Sequence, residues 1–130
     1  MKLLLTVDPM SVYNPAAMND CLFCKIIAGK IPAEIVYRGE NVVAFKDINP
    51  QAPVHILVIP TKHIEKLTDP EANDGRMLSE IFSAIQKIAA ENDLEKGFRV
   101  VTNCGAEAGQ TVFHLHFHVL GKRPLTWPPG

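Results

Sequence analysis

No apolar run in this sequence approaches the 18 or so residues needed to cross a bilayer. That excludes a spanning helix of the usual length. Charge of one sign is also scarce: 13 Lys and Arg stand against 14 Asp and Glu, for a net charge of −1. This balance excludes a broad electrostatic grip on nucleic acid or on a membrane surface. It leaves room for one small anionic ligand held by local donors. Cysteine is limited to three residues, an odd number, and no secretory signal precedes them. A disulfide framework is therefore not expected, and a reducing, cytoplasmic setting is. Met1-Lys2-Leu3-Leu4-Leu5 is too short for the apolar segment of a signal peptide, and Asp8 and Pro9 interrupt it. Internal repeats and low-complexity tracts are missing.

The remainder is ordinary globular material, 47% hydrophobic and 21% charged over 130 residues. A chain of this length buries a core without staples. Met18 looks like a second start, so residues 1–17 read as an upstream extension, expected to be poorly ordered, and 18–130 as one domain. Asn19-Asp20 can cap a short helix through Ile27, ending near Gly29. Glu34 to Arg38 reads as a strand, followed by a turn at Gly39-Glu40-Asn41. Val42 to Lys46 and Val54 to Ile59 are further strands, the first apolar on both faces and the second stopped by Pro60. A loop over 61–74 leads to a helix from about Arg76 to Asn92. Its stripe is Leu78, Ile81, Phe82, Ile85, Ile88 and Ala89. Phe98 to Thr102 reads as a fourth strand. The elements predict an α+β domain: two helices and a five-stranded antiparallel sheet.

The chemistry concentrates in His114-Leu115-His116-Phe117-His118, which holds three of the five histidines. Apolar and β-branched neighbours from Thr111 to Leu120 predict a fifth strand. In a strand these three imidazoles share one face, spread over roughly 13 Å. His55 sits within an apolar strand that could lie beside them. The loop Gly105 to Gln110 feeds the segment, and its glycines suggest a phosphate cradle. A neutral imidazole can attack phosphorus and form a phospho-histidine intermediate. A second can protonate the leaving group and then activate water. His116, flanked by a donor on each side, is the natural nucleophile.

Cys21 and Cys24 form a Cys-x-x-Cys pair. That spacing suits two thiolates on one zinc ion, with His63 and one end of the triad completing a tetrahedral set. The same pair also fits two buried cysteines or a redox couple. Cys104 has no assigned role.

Taken together, these segments resemble a known family. His114 to Leu120 preceded by Ala108 to Val112, the stretch Phe45 to His55, and Leu57 to Ile64 resemble the signature of the histidine triad (HIT) nucleotide hydrolases and transferases. The terminal Trp127-Pro128-Pro129-Gly130 is similar to the Hint branch. The resemblance covers about Met18 to Gly130. It implies a purine nucleoside phosphoramidase cleaving AMP-like amidates, with no organic cofactor. The neighbouring possibilities are a dinucleotide polyphosphate hydrolase, a non-catalytic nucleotide-binding or scaffold protein, and a redox or metal-storage module built on the cysteines.

By resemblance His116 takes the nucleotidyl group, supported by His118, His114 and His55. Asp47 binds the ribose hydroxyls. Leu22, Phe23, Ile26, Phe45 and Ile48 surround the base. Asn103, Gly109, Gln110, Thr111 and Val112 form the ribose–phosphate loop, with threonine at 111 where many Hint members carry serine. The resemblance also implies a structural zinc on Cys21, Cys24, His63 and His114. It implies a homodimer whose sheets join, with Trp127 near the partner's site.

Overall fold

The computed structural model describes residues 20–130. The expectation for residues 1–17 lies outside them. The chain divides into two compact units at Pro32.

The first unit's described part holds one helix, α1, Leu22–Ile27. Its N-cap is Cys21, whose Sγ accepts the Cys24 N–H at 3.3 Å. The sequence suggested Asn19-Asp20 for this duty. A thiolate-sized acceptor at Cys21 does the work usually given to a hydroxyl or carboxylate. At the other end Gly29 takes φ +77°, with Gly29 N–H on Ile26 O and Lys30 N–H on Lys25 O. That is a Schellman ending, which glycine makes cheap. Phe23 and Ile26 are buried and Leu22 is exposed.

The second unit carries five strands and one long helix. They are β1 (Ile35–Arg38), β2 (Val42–Lys46), β3 (Val54–Pro60), α2 (Gly75–Glu91), β4 (Phe98–Val101) and β5 (Phe117–Gly121). The strands form one sheet in the order β1-β2-β3-β5-β4, with every neighbouring pair antiparallel. The α+β architecture read from the sequence is the one observed. Both faces of β2 and β3 are buried, which explains their unbroken apolar runs.

One face packs on α2. Asp74 caps this helix, with Oδ1 accepting the N–H groups of Arg76 and Met77. Met77, Ile81, Ala84, Ile85 and Ile88 are buried with Val42, Ala44, Ile56, Val58, Phe117 and Val119. A fully buried isoleucine such as Ile81 or Ile88 contributes about 1.5–3 kcal/mol. Phe82, read as part of the stripe, is 60% exposed. The buried arc is centred on Ile81 and Ile85, and Phe82 lies 100° beyond Ile81 on a 3.6-residue turn. The helix ends with Asp93 at φ 55° and the Leu94 N–H on Ala89 O. Leu94 thereby folds back into the core, and it presses on Gly121, where a Cβ would come within 2.7 Å of Leu94 Cδ2.

Glu80 ties α2 to the β1–β2 turn. Its carboxylate accepts from Tyr37 Oη–H, Asn41 N–H and Asn41 Nδ2–H. Gly39 leaves the space this approach requires, since a Cβ there would collide with Glu80 Oε2.

The histidine segment departs from the sequence reading. The strand begins at Phe117, so His118 lies within it while His114 and His116 precede it. Residues 110–116 spend their hydrogen bonds elsewhere. The Gln110 amide bonds Gly105 N–H, Glu65 O and Val112 O, and Leu115 N–H bonds Ile64 O. A ladder needs a partner strand, and Gln110 and Leu115 bond Glu65 O and Ile64 O in the loop over 61–66 instead. Period-two patterning from Thr111 onward could not reveal that.

Candidate active site

The sheet register brings the site together. Leu57 pairs with His118, and His55 with Leu120, so His55 and His118 are diagonal neighbours on one face. Lys46 pairs with Ile56, and the next residue, Asp47, donates its N–H to His55 O at 3.0 Å. Asp47, His55 and His118 therefore line the same face, opposite the one that meets α2. His116 joins them from just before β5, its ring centroid 5.0 Å from that of His118.

The main chain dictates where each imidazole proton sits. A backbone N–H can only donate, and a carbonyl can only accept. Gln51 N–H reaches His55 Nδ1 at 3.0 Å, so that nitrogen holds a lone pair and Nε2 holds the proton. His55 Nε2 then donates to His118 Nδ1 at 2.9 Å. His118 consequently carries its proton on Nε2. His116 is set the other way. Its Nδ1 lies 2.6 Å from His114 O and must donate, which leaves the lone pair on Nε2. Thr102 Oγ1 donates to His116 O at 2.8 Å and steadies that backbone. The product is an imidazole with its electron pair on Nε2, His116, beside an imidazole with its proton on Nε2, His118.

Burial pushes all three rings below the ordinary histidine pKa. His118 falls to about 4, through burial first and then the neighbouring His116 and His55, with Asp47 opposing. Burial also lowers His116 and His55, and Asp47 again opposes. Neutral rings at pH 7 are what a nitrogen nucleophile requires.

Asp47 Oδ2 stands 3.4 Å from His55 Nε2, and Oδ1 accepts the Asn49 N–H at 2.8 Å. Asp47, His55 and His118 are close enough to hold a cation in common. The tautomer imposed by Gln51 opposes this use, because His55 Nε2 would first have to lose its proton. The trio suits proton handling better.

His114 is placed apart from the other two. It is 0% exposed, and its ring meets that of His63 edge-on with centroids 5.0 Å apart. The single fifth strand expected from Thr111 is thus corrected: bends occupy residues 112–114 and the strand begins at Phe117. His114 Nε2 donates to Pro60 O at 2.9 Å, which puts its lone pair on Nδ1. Its carbonyl accepts the His116 Nδ1–H.

The remaining expected residues are distributed as follows. Phe45 is buried, whereas Ile48 is 95% exposed. Asn103 and Val112 are half-buried; Gly109 and Thr111 are exposed. Gln110 is buried with its amide holding the loop. Gly105 and Gly109 both take positive φ. The N–H groups of Gly105, Ala108, Gly109 and Gln110 all bond within this loop. A phosphate cradle is therefore not made from these four donors. The sequence reading missed Gln51 and the carbonyls of His114 and Pro60. Main-chain groups have no side-chain signature; only the tight Asp47 to Pro53 turn, entered from a strand and left by one, hinted at Gln51.

The sequence model of the HIT domain family matches residues 28–125. A protein of Synechocystis sp. described as an uncharacterized HIT-like protein is 50% identical over 112 residues, which cover 86% of this chain and 98% of that protein. Among solved structures, a HIT family hydrolase from Legionella pneumophila Philadelphia 1 superposes with a TM-score of 0.81 at 48% identity, covering 85% of this chain and 99% of that one. A histidine triad nucleotide-binding protein from Candida albicans superposes with a TM-score of 0.75 at 33% identity, covering 83% and 82%.

The depressed histidines make stability depend on pH. Each binds its proton more weakly folded than unfolded, so the unfolded state takes up protons first as pH falls. Stability is complete above the unfolded value near 6.5 and declines towards the folded value of about 4 for His118. Urea midpoints should be level from pH 7 to 8 and fall between about 6.5 and 4. In His118→Gln that fall should be shallower, and an unchanged profile would contradict the assignment.

Proposed function

The chain belongs to the HIT domain family, and on that premise we propose that it is a hydrolase of purine nucleoside phosphoramidates acting through a nucleotidyl-His116. The observation that carries this reading is the tautomer of His116, whose Nδ1–H on His114 O leaves Nε2 as the attacking atom. The similar structures of a HIT family hydrolase and of a histidine triad nucleotide-binding protein support the same class.

His116 Nε2 forms a bond to phosphorus, and the bond from phosphorus to the leaving nitrogen breaks. The departing electron pair takes up a proton from a neighbouring imidazole. The His116 ring gains positive charge in this step, and the His114 carbonyl offsets it through the short hydrogen bond. His118 Nε2–H is available to the phosphate oxygens and to the leaving group. Water then attacks phosphorus, its proton passes to the neighbouring imidazole, and the electron pair returns to Nε2. In this reading Asp47 also accepts from the ribose hydroxyls, and Leu22, Phe23, Ile26, Phe45 and Ile48 receive the base. Asn103, Gly109, Gln110, Thr111 and Val112 flank the ribose and phosphate.

We also propose a structural zinc ion held by Cys21, Cys24, His63 and His114. The donor chemistry of each pair fits. The Cys24 thiol is pushed up to about 12 by burial and by its neighbour Cys21, so a cation is what would bring the pair to thiolates. The Pro60 carbonyl fixes His114 with Nδ1 as the donor atom. Bound zinc would supply rigidity at the start of the histidine segment. A homodimer belongs to the same reading. Its support is β4, an edge strand whose Phe98 and Val100 are 39% and 40% exposed. A cytoplasmic setting completes it, carried over from the cysteine content. Among the described residues no helix is long and apolar enough to cross a membrane.

Brief mixing with adenosine 5′-phosphoramidate, quenched without acid, should give an intact mass raised by one AMP and release AMP on standing. His116→Ala should give neither; an adduct persisting in that variant would place the nucleophile elsewhere. Native mass spectrometry tests the assembly. The expected mass is a dimer with one zinc per chain, and Cys21→Ser with Cys24→Ser should lose the metal. A metal-free wild type would remove the zinc, and a monomer would remove the dimer.

A further inference from the structure

The nucleophile's electron pair is set by the ring's other nitrogen. His116 Nδ1 donates to His114 O at 2.6 Å, and Nε2 keeps the pair. That bond joins a side chain to a carbonyl two residues back along the same chain. It lasts only while the backbone from His114 to His116 keeps one course, because a few rotatable bonds connect its two ends. No ladder holds that course, since β5 begins at Phe117. We infer that Thr102 is a positioning residue for the nucleophile: its hydroxyl anchors the His116 carbonyl and so keeps the His116 ring on His114 O.

The end of the sheet carries the assignment. β4 and β5 pair from Phe98 with Gly121 to Val101 with His118, and the pairing stops there. Thr102 is the first residue past β4, and His116 is the residue just before β5. Across this gap Thr102 Oγ1–H donates to His116 O at 2.8 Å, between residues 14 apart in sequence. A side-chain hydroxyl thus fixes the last carbonyl before the strand. Threonine suits the task, because its branched Cβ restricts χ1 and holds the hydroxyl in place. Its half-buried position limits competition from water. On the other side of His116, Leu115 N–H bonds Ile64 O at 2.6 Å. The two ties bracket the nucleophile. The Leu115 tie leads to the loop over 61–66, and the Thr102 tie leads to the sheet that also carries His55 and His118. Thr102 therefore sets His116 in the same frame as the other two rings.

The inference rests on the phosphoramidase reading and deepens it. Thr102 touches no reacting atom in that reading and acts through His116. Asn103, which follows it, flanks the ribose there. A merely disturbed loop would therefore show in KM, whereas a misplaced His116 shows in kcat.

Thr102→Val keeps the branched shape and removes the donor; Thr102→Ser keeps the donor. On adenosine 5′-phosphoramidate, Thr102→Val should lose about tenfold in kcat with KM within about twofold, and Thr102→Ser should stay within about threefold of the wild-type kcat. Long-range 1H–15N NMR of the free protein gives a readout without substrate. In Thr102→Val the His116 Nδ1–H should exchange faster with water and a second form protonated on Nε2 should appear, while Thr102→Ser should match the wild type. Wild-type kcat in Thr102→Val would overturn the proposal. So would a loss that serine does not rescue, a loss confined to KM, or a loss that leaves the His116 nitrogens unchanged. Should Thr102→Val not fold, Thr102→Ala is judged by the same criteria; if neither folds, Thr102 is a folding residue and the proposal is overturned. If the wild type does not turn over the phosphoramidate, the phosphoramidase reading fails, and the NMR comparison alone decides whether Thr102 sets His116.

Discussion

An imidazole has two nitrogens and, when neutral, one proton; which nitrogen holds it decides whether the ring attacks or donates. In this protein that choice is made by the main chain. Gln51 N–H forces a lone pair onto His55 Nδ1, and the consequence passes through Nε2 to His118. The His114 carbonyl forces a proton onto His116 Nδ1. The Pro60 carbonyl forces one onto His114 Nε2. Three rings in one five-residue stretch are thus given different atoms to present, with no side-chain carboxylate needed to orient them.

Such control requires a backbone held in place. The sheet register supplies it for Asp47, His55 and His118, which sit on three adjacent strands or their immediate ends. The opposite face is clamped by α2, whose C-terminal turn inserts Leu94 against Gly121 at the end of β5. Glu80 clamps the far side of the sheet at the β1–β2 turn. His116 lies outside the ladder, and different devices hold it. Thr102 grips its carbonyl, Leu115 N–H is bonded to Ile64 O, and the buried Gln110 amide closes the loop before it. The absence of regular structure at residues 111–116 is therefore no sign of looseness. It frees the His116 ring to bond the carbonyl of His114, which an extended strand would direct sideways into a ladder.

Much of the fold was legible because its signals are local. The β2 and β3 runs are apolar on both faces and came out buried on both. The loop read over 61–74 does end where α2 begins, with Asp74 as its cap. The glycine after α1 ends the helix as read. The site was legible as a set of residues but not as a geometry. Period two from Thr111 to Leu120 predicted one long strand, and the loop contacts of Gln110 and Leu115, distant in sequence, overrode it. Phe82 matched the helical spacing yet faces outward, since spacing fixes an arc but not its centre. Cys21 caps α1 with a thiol, a use that cap preferences do not anticipate. Asp47 could be matched to a ribose contact by resemblance, while its proximity to His55 depends on register. The proton placements were wholly invisible, because they are set by peptide groups that every residue possesses.

The central claim is that peptide groups fix opposite tautomers on His116 and His118. Long-range 1H–15N correlation NMR at pH 7 reads it directly, since protonated and unprotonated ring nitrogens resonate far apart. The account predicts His116 protonated on Nδ1, and His55 and His118 both protonated on Nε2. Finding His116 protonated on Nε2 would remove the nucleophile's electron pair from the atom assigned to it and contradict the account.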